Sequence, residues 1–190
     1  LNEQEQKAND EMMHLMIQLQ QLDNDKFLIQ RALLQKDTPV LIDMDKIYRY
    51  KLGDDTQNIT DLIKEDSTAV SLWYSNLFYT QSSLVLNYED NHINGYTFCL
   101  MTSNNNYHGK IDYPSNNLEI VEKGKAISVM TIYKNEVSFK LLESLINASL
   151  VKYPEYCIKS EPFTRLVTSF SDELCEKVNV VELVIPVKKR

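Results

Sequence analysis

At 190 residues the chain is long enough for one core of good size plus an appendage, and 43% hydrophobic with 25% charged residues excludes a disordered polymer. The net charge of −7 excludes a general nucleic-acid binder, because phosphate contacts need clustered Lys and Arg and the one basic cluster is Lys188-Lys189-Arg190. No apolar run approaches the roughly 20 residues that cross a bilayer, so no membrane partner is expected, and the odd, widely spaced cysteines make a reducing cytoplasm the expected location.

Residues 1–36 contain no Pro or Gly and read as one long helix. Ala8, Met12, Leu15, Leu19, Leu22, Ile29 and Leu33 follow the alternating 3,4 spacing of a heptad seam, broken at Lys26. Met12, Leu15, Leu19, Leu22, Ile29 and Leu33 are therefore the predicted contacts of a dimerising coiled coil. Met13, Met16, Phe27, Leu28 and Leu34 widen the apolar stripe, and the alternative is a helix packed on its own domain. Asp37-Thr38-Pro39 ends the helix, since the residue before proline is pushed out of the helical region.

From there the period drops to two. Over 40–52, Ile42, Met44, Tyr48, Tyr50 and Leu52 share one strand face, with Asp43, Asp45, Arg49 and Lys51 on the other. Gly53-Asp54-Asp55 is a turn. Residues 57–80 read as helical, interrupted near Asp66-Ser67, and carry the single tryptophan, Trp73. Residues 84–88 and 95–101 read as a strand pair joined by a turn over Glu89 to Asn94. The Asn-rich stretch 103–117 is a surface connection. Residues 118–133 give strand material with a bulge or bend at Lys123-Gly124. An amphipathic helix follows over 136–152, with Phe139, Leu142, Leu145, Ile146 and Leu150 on one face. Strands at 163–170 and 178–187 close the chain. The order strand–helix–strand–strand thus occurs twice, and Asn87-Tyr88-Glu89-Asp90 has a counterpart in Ser169-Phe170-Ser171-Asp172. The predicted fold is α+β, with a long N-terminal dimerisation helix (1–36) and a pseudo-twofold β-α-β-β repeat (39–190).

Three cysteines, Cys99, Cys157 and Cys175, are odd in number and widely spaced, so no disulfide framework is expected. His14, His92 and His108 lack ligand spacing, and neither a metal nor a cofactor is expected.

The ending Val180-Val181-Glu182-Leu183-Val184-Ile185-Pro186-Val187 with its basic tail resembles the C-terminus of GyrI-like effector-binding domains. The stretch from Leu118 through Ala126 to Tyr133, leading into the Ser138 helix, looks like that family's second-half entry. The opening helix resembles the antiparallel dimer helix of multidrug-responsive MerR-family transcription regulators. The resemblance covers nearly the whole chain, through pattern and short motifs. It implies two pseudo-symmetric halves around a groove that senses a small aromatic or apolar effector. In related multidrug sensors that groove carries a buried carboxylate for flat cations. The resemblance further implies a homodimer, and DNA contact only through an N-terminal winged helix-turn-helix not present in this chain. Leu1 in place of Met leads us to expect a fragment or processed form.

Tyr88 matches the aromatic that ends the family's first-half strand before an acidic turn, here Glu89-Asp90; the alternative is a surface tyrosine. Trp73 stands where members place a groove-facing aromatic, with core packing as the alternative. The family's aromatic–Glu step after a proline falls on Glu161-Pro162-Phe163-Thr164-Arg165, which puts Arg165 at the acidic position. A buried guanidinium there prefers an anion; the alternative is a solvent-facing residue at a strand edge. Glu143 and Glu182, the other sources of charge, are expected on solvated faces. Strand parity adds Tyr48, Tyr50, Phe98, Met130 and Phe163 as large inward side chains, suited to an adaptable pocket or to a core. No Ser-His-Asp or Cys-His grouping is present, and no catalytic residue is expected. A GyrI-like hydrolase and a stand-alone protein inhibitor are the competing functions; the inhibitor has no use for residues 1–36.

Overall fold

The computed structural model describes residues 2–53, 81–103, 117–135 and 138–190. The helical reading of 57–80, including Trp73, and most of the connection over 103–117 lie outside those residues. Helix α1 runs Asn2–Leu34. It is followed by Asp37 in the left-handed conformation (φ 57), whose N–H bonds the Met130 carbonyl at 2.7 Å, so the chain leaves the helix already anchored to the sheet.

Among the described residues nine strands form one antiparallel sheet. In chain order they are β1 (Pro39–Met44), β2 (Ile47–Gly53), β3 (Gln81–Glu89), β4 (His92–Ser103), β5 (Leu118–Val121), β6 (Gly124–Lys134), β7 (Tyr156–Ile158), β8 (Phe163–Ser171) and β9 (Lys177–Lys189). Helix α2 (Phe139–Lys152) lies between β6 and β7. The spatial order is β1-β6-β9-β8-β3-β4-β2-β5, with β7 pairing the end of β9. Exchanging β1 with β5, β2 with β6, β3 with β8 and β4 with β9 reads that order backwards, so a pseudo-twofold axis passes between β3 and β8. The first short strand of each half pairs with the other half: β1 with β6, β5 with β2.

Two sequence expectations are corrected here. Residues 40–52 are two strands, not one, because the chain breaks at Asp45-Lys46 and changes partner. The break reverses parity. Ile42 and Met44 pack with Ile47 on one face of the sheet, whereas Tyr48, Tyr50 and Leu52 pack with Leu100 on the other. Lys123-Gly124 is likewise the passage between two differently paired strands rather than a bulge within one.

Local chemistry explains the connections. Asp90 and Asn91 both hold positive φ (50 and 67) between the paired Glu89 and His92, the two-residue turn whose twist matches that of the flanking strands. Ser138 caps α2 by accepting the Leu141 N–H at 3.4 Å. The apolar face of α2, Leu142, Leu145 and Ile146, is buried on Leu86, Ile127, Val129, Leu183 and Ile185. The opposite face of the sheet carries Val85, Cys99, Met101, Phe163 and Val184 in one cluster. Beside it, Leu28 and Ala32 of α1 dock on Met130 and Val180.

Candidate functional site

The sheet face opposite α2 buries charge, which costs several kcal/mol per ion unless partners offset it. Strand register lines up Lys51, Cys99, Ser83, Arg165, Glu182 and Met130 across β2, β4, β3, β8, β9 and β6. Glu182 is 1% exposed. Its carboxylate accepts from the Arg165 Nε–H and the Ser128 hydroxyl, and Arg31 Nη1 of α1 stands 3.5 Å away. Arg31 also donates to Ser128 Oγ and to the Ser128 carbonyl, both at 3.0 Å. One helix side chain thus reaches the buried carboxylate through two routes. The last turns of α1 are fixed to β6 by this network and by the Leu28–Ala32 contact.

Arg49 is the second buried charge, 0% exposed on β2. Its guanidinium lies over the Phe163 ring, 4.6 Å from the centroid. Nη1 stands 3.6 Å from Glu119, a carboxylate shared with Lys51 at 3.7 Å, and Nη2 donates to the Glu161 carbonyl at 3.5 Å. Burial pulls its pKa down, opposed by Glu119. Nearby Cys99 is buried, and its thiol is pushed up to about 12, chiefly by burial, so it stays neutral.

The predicted pocket residues do not converge on one spot. Arg165 and Phe163 lie on this face, and Met130 lies there under α1. Tyr48, Tyr50 and Phe98 form a separate cluster with Leu52, Leu100 and Leu118 on the other face. Tyr88 packs beside α2, its hydroxyl within hydrogen-bond distance of Asn147 (2.6 Å) and Asn91 (3.3 Å). Those two amides line an open hollow of about 390 Å³ with Leu150, Val151 and Arg190. Burial, and then Glu143, raise the Tyr88 pKa.

Three charge assignments change. Glu182 is buried rather than solvated, Arg49 is buried rather than on a polar outer face, and Glu143 is covered rather than solvated; Arg165, partly exposed, faces Glu182. Glu143 is mostly covered and accepts the Ile93 N–H at 2.7 Å. A signal for Glu182 exists in the sequence. A single charge inside the run Val180–Val187 belongs to a strand buried on both faces. Of the predicted dimer contacts, Met12, Leu15, Leu19, Leu22 and Leu33 are exposed and Ile29 is half-buried. Among the described residues no helix is long and apolar enough to cross a membrane, and no group of His, Cys, Asp and Glu has the arrangement of a metal site.

No protein-family model and no curated protein matches the chain. Solved structures similar to it include the C-terminal domain of EcmrR, at 15% identity and a TM-score of 0.47, covering 80% of this chain and 98% of that one. EcmrR in its complex with DNA is similar at 13% identity and a TM-score of 0.48, over 99% of this chain and 71% of that one. SAV2435 bound to tetraphenylphosphonium is similar at 8% identity and a TM-score of 0.40, over 79% and 93% respectively.

Proposed function

We propose that the chain is the effector-binding and dimerising region of a MerR-family bacterial transcription regulator of the GyrI-like type, working in the cytoplasm. A small aromatic or apolar ligand is taken by the two-halved sheet, and α1 relays its presence to a DNA-binding domain outside this chain. The observation that supports this reading is Arg31. It joins the long helix directly to the buried Glu182–Arg165 pair at the centre of the sheet face. A ligand that competes for either partner of that pair alters the docking of α1. Binding shifts the equilibrium only through such a difference between states.

The hydrolase alternative is weaker, because the buried carboxylate is occupied by Arg165, Ser128 and Arg31 and is not free to act as a base. The relay is tested by sedimentation equilibrium with and without a planar aromatic ligand. The ligand is expected to shift the dimer dissociation constant of the wild type at least about fivefold, an ordinary coupling size. Arg31→Gln is expected to bind the ligand and leave the dimer constant unmoved. A wild-type dimer constant indifferent to a ligand that binds would rule out the relay.

A further inference from the structure

Away from the charged face, the hollow beside α2 is where the two halves of the fold meet. Asn91 comes from the β3–β4 turn of the first half, whereas Asn147, Leu150 and Val151 come from α2 and Arg190 follows β9 in the second. Asn147, Leu150 and Val151 share one side of α2 because they stand three and four positions apart. The β3–β4 turn is fixed to that helix twice. Tyr88 reaches Asn147, and Glu143, one turn earlier, accepts the Ile93 N–H. Arg190 is placed by its own N–H, which donates to the Glu155 carbonyl at 3.0 Å. The space, about 390 Å³, has the size of small-ligand sites, about 300–1,000 Å³.

Its polar lining consists of unspent donors. A tyrosine hydroxyl has one proton, and Tyr88 gives it to Asn147 Oδ1 at 2.6 Å. The carbonyl oxygens of both amides are turned to Tyr88, so both Nδ2 groups point away from it, and neither has an acceptor among the described residues. The Arg190 guanidinium has no carboxylate partner among the described residues either. Leu150 and Val151, the latter 80% exposed, add an apolar wall beside these donors. A planar guanidinium flanked by amide N–H groups matches a carboxylate. The Glu143 carboxylate, one turn from Asn147, disfavours a doubly charged phosphate.

We propose that this hollow binds a small aliphatic carboxylate, its charged end on Arg190 and the amides of Asn91 and Asn147 and its chain on Leu150 and Val151. The site lies on the opposite face of the sheet from Glu182 and stands independently of the sensor reading. Its occupant joins the first-half turn to the end of β9.

Nitrogen-15 NMR titration of the whole chain with hexanoate and its neutral amide, hexanamide, tests it. Hexanoate is expected to shift the side-chain amide signals of Asn91 and Asn147 saturably. It should bind at least about fivefold tighter than hexanamide, the difference between a charge-assisted and a neutral hydrogen bond. Arg190→Gln should remove that preference while leaving hexanamide binding unchanged. Val151→Asp should abolish hexanoate binding, and both changes fall on exposed side chains that leave the fold intact. Equal binding of the two probes, or a preference that survives Arg190→Gln, overturns the site. So does hexanoate that leaves both asparagine signals unmoved. None of these outcomes bears on a planar aromatic effector or on the relay through Arg31.

Discussion

Glu182 holds two arginines from different parts of the fold, Arg165 from the neighbouring strand and Arg31 from α1. Arg165 retains some exposure and Arg31 little, so removing the carboxylate strands two guanidinium groups in poorly solvated surroundings. Breaking a buried pair from one side typically costs about 3–5 kcal/mol. Because the arginines are not sealed from water, Glu182→Gln should lower stability by the smaller end of that range, about 3 kcal/mol, in urea unfolding. Glu182→Met combined with Arg165→Met should recover most of the loss, since two apolar side chains of similar length leave no unpaired charge on the sheet. A single variant within about 0.5 kcal/mol of wild type, the scatter of ordinary surface changes, would mean that the network is not holding the face together.

At the scale of elements, α1 does two things in two stretches. Met12, Leu15, Leu19 and Leu22 are exposed, whereas Leu28, Arg31 and Ala32 meet the sheet. Ala32 has no exposed surface against Met130 and Val180, so its small size sets how closely the helix approaches β6. Ala32→Leu should overpack that contact, cost about 1–3 kcal/mol, and increase amide exchange in the last turns of α1. Leu34→Ala, on an 84% exposed residue, should stay within about 0.5 kcal/mol. If both variants unfold alike, the docked contact is not specific.

The same contrast shows what could be read from the sequence. The strands β3, β4, β8 and β9 and helix α2 were legible from period and turn residues, because each has a single continuous pattern. The break at Asp45-Lys46 was not, because two strands of the same polarity pattern abut without a Gly or Pro between them. That slip put Arg49 on the wrong face, since a one-residue change of register inverts every side chain. The heptad pattern marks the exposed stripe of α1 but passes over Ala32, since a small residue carries almost no hydrophobic signal although its contact is among the tightest. The site was least legible of all. Its charges interact through pairings between strands distant in sequence, such as Arg165 with Glu182, and local pattern cannot register those.

For the molecule as a whole, the exchange of β1 and β5 between halves makes the sheet one unit, because each half lacks an edge strand without the other. Against that unit the first part of α1 is an outlier: a row of methionine and leucine, each more than half exposed, at the 3,4 spacing of a coiled-coil seam. Monomeric proteins rarely leave such a continuous apolar patch in water. The seam and the sheet contact use different residues, so they can be broken separately. Sedimentation of the chain should therefore give a dimer. The triple variant Leu15→Asp, Leu19→Asp and Leu22→Asp should give a monomer whose unfolding midpoint differs little from wild type, because Leu28, Arg31 and Ala32 still hold the helix end. A wild-type monomer at all accessible concentrations would remove the dimeric regulator. A triple variant that stays dimeric would move the interface off α1, and with it the route by which Arg31 reports the state of the sheet.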